Sequence, residues 1–143
     1  MDGKCFWQLG VIVDDLEGAM SELTEALGLD WTDIVDTEFD HTPLRVTMSR
    51  QGPPYFELIQ APAGSAWDAR GGSTLDHVAY WSNEFDADRR RLESAGMPVV
   101  LDGQRVGRKM NYHALPKSGF RIEIFDGADR DGFRQRWGFD DVG

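Results

Sequence analysis

The chain has 143 residues, of which 41% are hydrophobic and 28% are charged, and its formal net charge is −10. This length and composition suit one domain with a packed core. The negative charge argues against a nucleic-acid partner and against an anionic membrane, because both attract basic surfaces. No stretch has the pattern of a signal peptide or a membrane span. The lone Cys5 excludes an internal disulfide, and we expect it to be buried in a cytoplasmic protein.

The first half of the chain predicts a strand, a helix and three further strands. The opening strand covers about 5–13, and the helix that follows starts near Leu16 and stops at Gly28. Asp14 and Glu17 have the spacing of a capping box at the start of this helix. Three strands are then expected at about 31–38, 44–50 and 55–60.

The second half predicts the same order of elements. A segment rich in Ala, Pro, Gly and Ser, at about 62–73, is expected to link a first module (5–61) to a second (74–127). In the second module a strand, a helix and three strands are expected at about 75–81, 83–95, 98–102, 110–115 and 120–125. The tail 128–143 predicts one short helix that has no counterpart in the first half. The chain is therefore expected to be an internal duplication forming one domain, 1–143.

One polar side chain interrupts an apolar run at each of four matching positions. Gln8 matches His77 on the opening strands, and Glu57 matches Glu123 on the closing strands. Strand periodicity separates each from its apolar neighbours and points all four into the hollow of the sheet. Each alone also has an ordinary explanation: a strand amide, a hydrogen-bonded core histidine, or a carboxylate solvated in an open groove. Together their donors suit one divalent metal ion, such as Zn, Ni, Co, Mn or Fe.

Four segments carry a more specific resemblance: 10–16, 56–59, 75–78 and 119–124, with the sequences GVIVDDL, FELI, LDHV and GFRIEI. Over about 5–126 the chain resembles the vicinal oxygen chelate superfamily, which includes glyoxalase I, methylmalonyl-CoA epimerase, bleomycin-resistance proteins and extradiol dioxygenases. The resemblance implies an α+β fold in which two tandem βαβββ modules form an open, cup-shaped, eight-stranded mixed sheet with helices outside. It also implies a small-molecule substrate, and we expect a homodimer.

Carried over by position, the resemblance implies that the metal ligands are Gln8, Glu57, His77 and Glu123. The order Gln, Glu, His, Glu also occurs in glyoxalase I of the animal type, whereas epimerase-like members more often have His first. His113 shares its strand parity with Asn111 and Leu115, and we expect it to point into the same hollow. Resemblance to the extradiol branch then makes His113 a candidate general acid or base.

Other side chains are candidates for contact with a substrate. Four aromatic residues share the parity expected for the hollow: Phe6, Tyr55, Trp81 and Phe125. They line an apolar pocket or belong to the core. Four basic residues could receive a carboxylate or phosphate group, or be simply solvated: Arg105, Arg108, Lys109 and Arg121.

The resemblance favours a metal-dependent lyase or isomerase that stabilises an enolate or enediolate of a small oxygenated substrate. Glu57, Glu123 or His113 would move the proton next to the carbonyl. One alternative is a metal-free protein that sequesters a drug or metabolite, which has no need of carboxylates on both closing strands. A second is an extradiol-type dioxygenase, which normally uses two His and one carboxylate around iron.

Overall fold

The computed structural model describes residues 5–143 and contains one curved sheet of eight strands. In chain order the strands are β1 (Gln8–Ile12), β2 (Val35–Phe39), β3 (Thr42–Met48), β4 (Tyr55–Gln60), β5 (Thr74–Ser82), β6 (Val99–Asp102), β7 (Met110–Leu115) and β8 (Phe120–Asp126). The α-helices of the described residues are α1 (Leu16–Leu27), α2 (Phe85–Ser94) and α3 (Arg130–Trp137). Among residues 5–143, no helix is long and apolar enough to cross a bilayer.

The strand order reflects the internal duplication. The sheet runs β2-β3-β4-β1-β5-β8-β7-β6, so the second half repeats the first in mirrored order. In each half the opening strand lies parallel to the closing strand, β1 to β4 and β5 to β8. Antiparallel pairing of β1 with β5 joins the halves at the centre. The prediction of an α+β fold with two βαβββ modules and one mixed eight-stranded sheet is confirmed.

The convex face of the sheet is covered by the two helices that belong to the repeats. Leu16 at the start of α1 packs with Val13 and with Leu58 of β4. In the second half, Phe85 and Leu92 of α2 pack against Ile124 of β8. Leu58 and Ile124 alternate with Glu57 and Glu123 along their strands, so burying the apolar residues under helices turns the carboxylates to the concave face.

The third helix lies on the concave side and not outside the sheet. Phe133 of α3 packs edge-on against Trp7, with their ring centroids 4.7 Å apart. Beyond α3 the tail continues across the same face, where Phe139 stacks on Tyr55 at 3.9 Å and Trp81 Nε1 donates to the carbonyl oxygen of Val142 at 2.7 Å. The chain's own tail therefore fills one end of the cup.

Two local predictions are wrong. Asp15, and not Asp14, caps α1: its carboxylate accepts a hydrogen bond from the backbone N–H of Gly18 at 3.0 Å. Glu17 makes no capping box, because its carboxylate binds Arg45 of β3. Cys5 is exposed, since it precedes the first residue of β1.

Truncation of Leu58 tests the contact between α1 and the sheet. Leu58 is completely buried, so Leu58→Ala should lower the free energy of unfolding by about 2–5 kcal/mol through lost burial and a residual cavity. Leu27→Ala is the matched control, because Leu27 is 59% exposed and its loss should change stability by less than about 0.5 kcal/mol. Urea unfolding of both variants measures the difference, and equal losses would contradict this packing.

Candidate metal centre

Four polar side chains meet on the concave face, one from each of the four central strands. Gln8, Glu57, His77 and Glu123 come from β1, β4, β5 and β8, which are neighbours in the order β4-β1-β5-β8. His77 Nε2 lies 3.4 Å from Glu57 Oε2 and 3.3 Å from Glu123 Oε2. The amide nitrogen of Gln8 donates to Glu57 Oε2 and lies 3.5 Å from His77 Nε2. The structure thus brings together the four residues that the repeat aligns.

The cluster is shielded from water. The side chains of His77, Glu123 and Glu57 are 0%, 3% and 14% exposed. Burial by itself lowers the pKa of His77, but the carboxylates of Asp76, Glu123 and Glu57 outweigh it and raise that pKa well above its ordinary value. Burial raises the pKa of Glu123. Two carboxylates held this close do not both stay ionised unless a positive charge compensates them; a proton on one carboxyl, a proton on the imidazole, or a metal ion relieves their repulsion.

The donor set fits a divalent metal ion. One donor atom each of Glu57, His77 and Glu123 can be chosen so that all lie within 4.8 Å of one another. Gln8 Oε1 is buried and has no hydrogen-bond partner within residues 5–143. Rotation of that amide by 180° exchanges its nitrogen and oxygen and turns the carbonyl oxygen toward the carboxylates. Two anionic oxygens, one imidazole nitrogen and one amide oxygen are then available to a hard or borderline metal.

Asp76 contacts the imidazole of His77 through Nδ1, the ring nitrogen that does not face the two glutamates. The pairing of β1 with β5 shifts register between Gly10 and Val11, which face His77 and Leu75, so Asp76 is the extra residue of a β-bulge. His77 Nδ1 donates to Asp76 Oδ2 at 2.8 Å. The carboxylate stays ionised, because His77 and Arg121 together outweigh burial and lower its pKa. This contact leaves Nε2 free as the metal-binding nitrogen.

Arg121 continues the same chain of contacts. Its Nη2 donates to Asp76 Oδ2 at 2.6 Å, and its guanidinium carbon lies 4.8 Å above the ring of Tyr112. Arg121 was predicted to bind substrate. In this arrangement its charge is engaged by Asp76, and its position is that of a residue that orients Asp76.

Gly10 provides the space that the imidazole occupies. Gly10 lies opposite His77 in the pairing of β1 with β5. A Cβ atom built on Gly10 would lie 1.9 Å from His77 Cε1 and 2.3 Å from Nε2, far inside van der Waals contact. The glycine therefore allows the ring to lie across β1, toward the carboxylate on β4.

A cavity of about 600 Å³ opens above the cluster, and both carboxylates line it. Its walls are mainly apolar and include Phe39, Leu44, Val46, Ile59, Trp67, Met110, Tyr112, Phe125, Phe133 and Trp137. Trp67 comes from the segment predicted as a linker, and Tyr112 pairs in register with Glu123. The ring of Tyr112 lies edge-on to His77, with centroids 4.8 Å apart. Sequence reasoning missed Tyr112, although the register across the β7–β8 turn would have identified it.

The predicted orientation of His113 is wrong. The β7–β8 hairpin pairs Tyr112 with Glu123 and His113 with Ile122, so His113 shares the convex side with Ile122. It is fully buried there, and its Nδ1 lies 2.7 Å from the carbonyl oxygen of Met97. Burial lowers its pKa. His113 is thus a core histidine behind the sheet and does not face the cavity.

The predicted aromatic wall is only partly present. Phe125 lines the cavity. Trp81 and Tyr55 lie under the tail, where the Tyr55 hydroxyl donates to the carbonyl oxygen of Asp141 at 2.6 Å, and neither lines the cavity. Phe6 is 36% exposed and contacts Tyr80. The tail helix supplies Phe133 and Trp137 to the wall instead.

The family of the chain follows from its sequence as well as its fold. The sequence profile of the Glyoxalase/Bleomycin resistance protein/Dioxygenase superfamily matches residues 7–115. The chain belongs to this superfamily, as the resemblance of its motifs predicted. Among curated proteins, no sequence match was found.

Solved structures with the same fold include two methylmalonyl-CoA epimerases and a 4-hydroxymandelate synthase. Methylmalonyl-CoA epimerase from Mycobacterium tuberculosis is 18% identical, with 85% of this chain and 87% of that chain covered and a TM-score of 0.63. A methylmalonyl-CoA epimerase in complex with methylmalonyl-CoA and NH4+ is 18% identical, with 87% and 95% covered and a TM-score of 0.64. A mutant 4-hydroxymandelate synthase from Streptomyces coelicolor is 13% identical, with 84% and 47% covered and a TM-score of 0.61. At these identities the likeness shows the fold.

A methyl group at Gly10 tests the fit of His77 over β1. Gly10→Ala should lower the free energy of unfolding by about 1–3 kcal/mol, because His77 is held by Asp76 and Tyr112 and cannot yield freely. Gly132→Ala is the control: no atom lies within 4 Å of the added Cβ, and alanine favours helix α3, so stability should be unchanged or rise by up to about 1 kcal/mol. Urea unfolding distinguishes the two. Equal stability of Gly10→Ala and the parent chain would contradict the packing described.

Proposed function

We propose that this chain is a divalent-metal-dependent lyase or isomerase of the glyoxalase or epimerase kind. Its substrate would be a small oxygenated molecule that reacts through an enolate or enediolate. The observation that carries the proposal is the meeting of Glu57, Glu123, His77 and Gln8 on the concave face, where both carboxylates line one largely apolar cavity. Asp76 also orients His77 by accepting a hydrogen bond from Nδ1. Metal-binding histidines commonly make such a hydrogen bond through the ring nitrogen that does not bind the metal.

The metal would be held by Gln8, Glu57, His77 and Glu123 and would be one of Zn, Ni, Co, Mn or Fe. When bound, such an ion supplies a Lewis acid that polarises a substrate carbonyl and stabilises negative charge on its oxygen. The two carboxylates would balance its double charge, and the contact of Nδ1 with Asp76 orients the ring so that Nε2 is the nitrogen that faces them. Because the ligands bind only when deprotonated, metal binding would release the proton from His77.

Proton transfer next to the carbonyl is assigned to a carboxylate of the cluster. Glu57 is the more accessible, with 14% of its side chain exposed, and it lines the cavity. Glu123 is almost fully buried, and burial raises its pKa above the usual range of a glutamate. His113 is excluded from this role by its place behind the sheet.

The cavity wall gives the reacting group a dry environment. Trp67 and Tyr112 close the cavity beside the cluster, and Met110 belongs to the same buried group. In such surroundings, fixed dipoles and charges act more strongly on developing charge than they do in water. Tyr112 keeps its hydroxyl protonated, since burial and the two glutamates raise its pKa well above the ordinary value. Its protonated hydroxyl interacts with Glu123 and partly offsets the rise that burial causes in the pKa of that carboxyl.

Gln8 at the first ligand position favours the glyoxalase-like over the epimerase-like variant of this chemistry. The structural neighbours include methylmalonyl-CoA epimerases, and they support a reaction of this general type through the shared fold. A ring-cleaving oxygenase is disfavoured, because the cluster contains one histidine and not two. The homodimer and the cytoplasmic location stay predictions, and light scattering of the purified protein tests the first.

Loss of one ligand tests the metal site. Loss of a residue that only hydrogen-bonds to a metal ligand typically lowers metal affinity by about 10- to 100-fold. Glu123→Gln removes an anionic ligand itself, so it should lower the affinity by more than that. Calorimetric titration of chelator-treated protein with Zn, Ni, Co, Mn and Fe(II) (the last under anaerobic conditions) measures the affinity. Glu25→Gln, at an exposed glutamate of α1, should bind as the parent does. A parent chain that binds none of these metals, yet holds a small molecule, would favour sequestration.

Replacement of Asp76 tests its hold on His77. Asp76→Asn should reduce metal affinity by about 10- to 100-fold while all four ligands remain, because Nδ1 loses its charged partner. Asp36→Asn is the control, since the Asp36 side chain is 84% exposed and lies 3.6 Å from Arg45, away from the cluster. The same titration is the readout. Unchanged affinity in Asp76→Asn would show that the bulge does not orient the ligand.

A further inference from the structure

We infer that the mouth of the cavity contains an anion-binding subsite formed by Arg108 and Arg136. The substrate of the proposed reaction is then a small acid with an apolar body: its oxygenated end faces the cluster and its anionic group faces the two guanidiniums. Only one part of this inference rests on the proposed function, namely that the oxygenated end of the molecule faces the cluster. The subsite itself is defined by charge, cavity walls and ion pairing, and it is testable in the absence of metal.

Most basic side chains considered for substrate binding are already neutralised within the chain. The ion pairs join Arg121 to Asp76 at 2.6 Å, Lys109 to Asp126 at 3.0 Å and Arg105 to Asp40 at 3.7 Å. Arg108 differs from these three, because it makes no ion pair within the described residues 5–143. It lies just before β7, is exposed, and lines the cavity.

The second guanidinium comes from the tail helix. Arg136 of α3 lines the same cavity, is exposed, and has no ion-pair partner in the part of the chain that the structure describes. Its neighbour Arg134, by contrast, faces Asp131 at 3.7 Å. Asp129 also lines the cavity but pairs with neither arginine. In a chain with 25 acidic and 15 basic residues, two unpaired guanidiniums on one cavity are positioned for an external anion.

The chemical character of the cavity lining changes from acidic at the floor to apolar along the walls and basic at the mouth. Glu57 and Glu123 stand at the floor, aromatic and aliphatic side chains form the walls, and the two arginines are exposed at the mouth. Arg108 precedes Tyr112 by four residues, so its backbone lies at most about 14 Å from that of Tyr112 at the floor. The proposed ligand therefore has an apolar body that spans from the cluster to the mouth. Carboxylate, sulfonate and phosphate groups all match guanidinium donors.

Arg136 lies outside the two repeated modules. The last strand of the second module, β8, ends at Asp126, whereas α3 covers Arg130–Trp137. The helix is held in place by apolar contacts of Phe133 and Trp137 with the core of the concave face. One of the two arginines of the anion subsite therefore belongs to a segment outside the duplication. The subsite is a feature by which this chain would select its own substrate.

Two fluorescent probes that differ in one anionic group test the subsite. 8-Anilino-1-naphthalenesulfonate carries a sulfonate on an aromatic body, and N-phenyl-1-naphthylamine has the same body without it. Both are titrated into the metal-free protein with EDTA present, at low and high salt, and into the variants Arg108→Gln, Arg136→Gln and their combination. Arg90→Gln is the matched control, because Arg90 is an exposed arginine of α2 that does not line the cavity.

Each single cavity variant should weaken binding of the sulfonate probe by about three- to tenfold, as expected for one charge-assisted contact near solvent. Binding of the neutral probe should stay within twofold of the parent, and Arg90→Gln should change neither. Salt should weaken sulfonate binding to the parent more than to the double variant. Unchanged sulfonate affinity in the double variant overturns the inference, as does an equal loss for both probes or an equal effect of Arg90→Gln.

The outcome is independent of the proposed reaction. A chain that binds no metal but shows the arginine-dependent preference for the sulfonate retains the subsite and loses the proposed function. A chain that binds metal through Glu123 but shows no such preference retains the proposed function and loses the subsite.

Discussion

The structure depends on the repulsion between two buried carboxylates and on what relieves it. Glu57 and Glu123 stand on either side of the His77 imidazole, 3.4 and 3.3 Å from Nε2, at the centre of an otherwise apolar sheet. Unpaired, they would oppose folding by several kcal/mol each. Three successive contacts offset this cost: the imidazole contacts both carboxylates, Asp76 stabilises the imidazole, and Arg121 stabilises Asp76. Within residues 5–143 these contacts still leave the buried Gln8 Oε1 and Glu123 Oε2 without a hydrogen-bond partner, and buried, incompletely satisfied clusters of this kind are concentrated at functional sites.

The location of this network follows from the duplication. Each module contributes one carboxylate from its closing strand and one nitrogen- or amide-bearing residue from its opening strand. Antiparallel pairing of β1 with β5 then brings the two pairs together at the centre of the sheet. The close approach at this seam needs the absence of a side chain at Gly10 and the extra residue at Asp76. Neither feature belongs to the repeated pattern, so the copies diverged where they meet.

The fold and the four clustered residues could be predicted from the sequence, because a single polar residue within each apolar strand is visible in the sequence itself. Other features depend on register, which local pattern does not reveal. The parity of His113 could be counted along β7, but its side of the sheet is decided by how β7 pairs with β8. Asp76 reaches His77 only because of a bulge. Arg136 and Trp137 lie in a tail without an internal copy, so no alignment of the halves could place them at the cavity.

The tail has a consequence for symmetry. A duplicated sheet alone offers two equivalent ends, and a molecule could enter the hollow from either side in either of two related orientations. Phe139 on Tyr55 and Val142 on Trp81 close one of those approaches, and α3 lies beside them and forms part of the cavity wall. A molecule at the centre would therefore meet unlike surroundings toward the two halves. An asymmetric enclosure of this kind removes the two-fold equivalence of the scaffold, so that two orientations related by the pseudo-symmetry are no longer alike for a bound molecule.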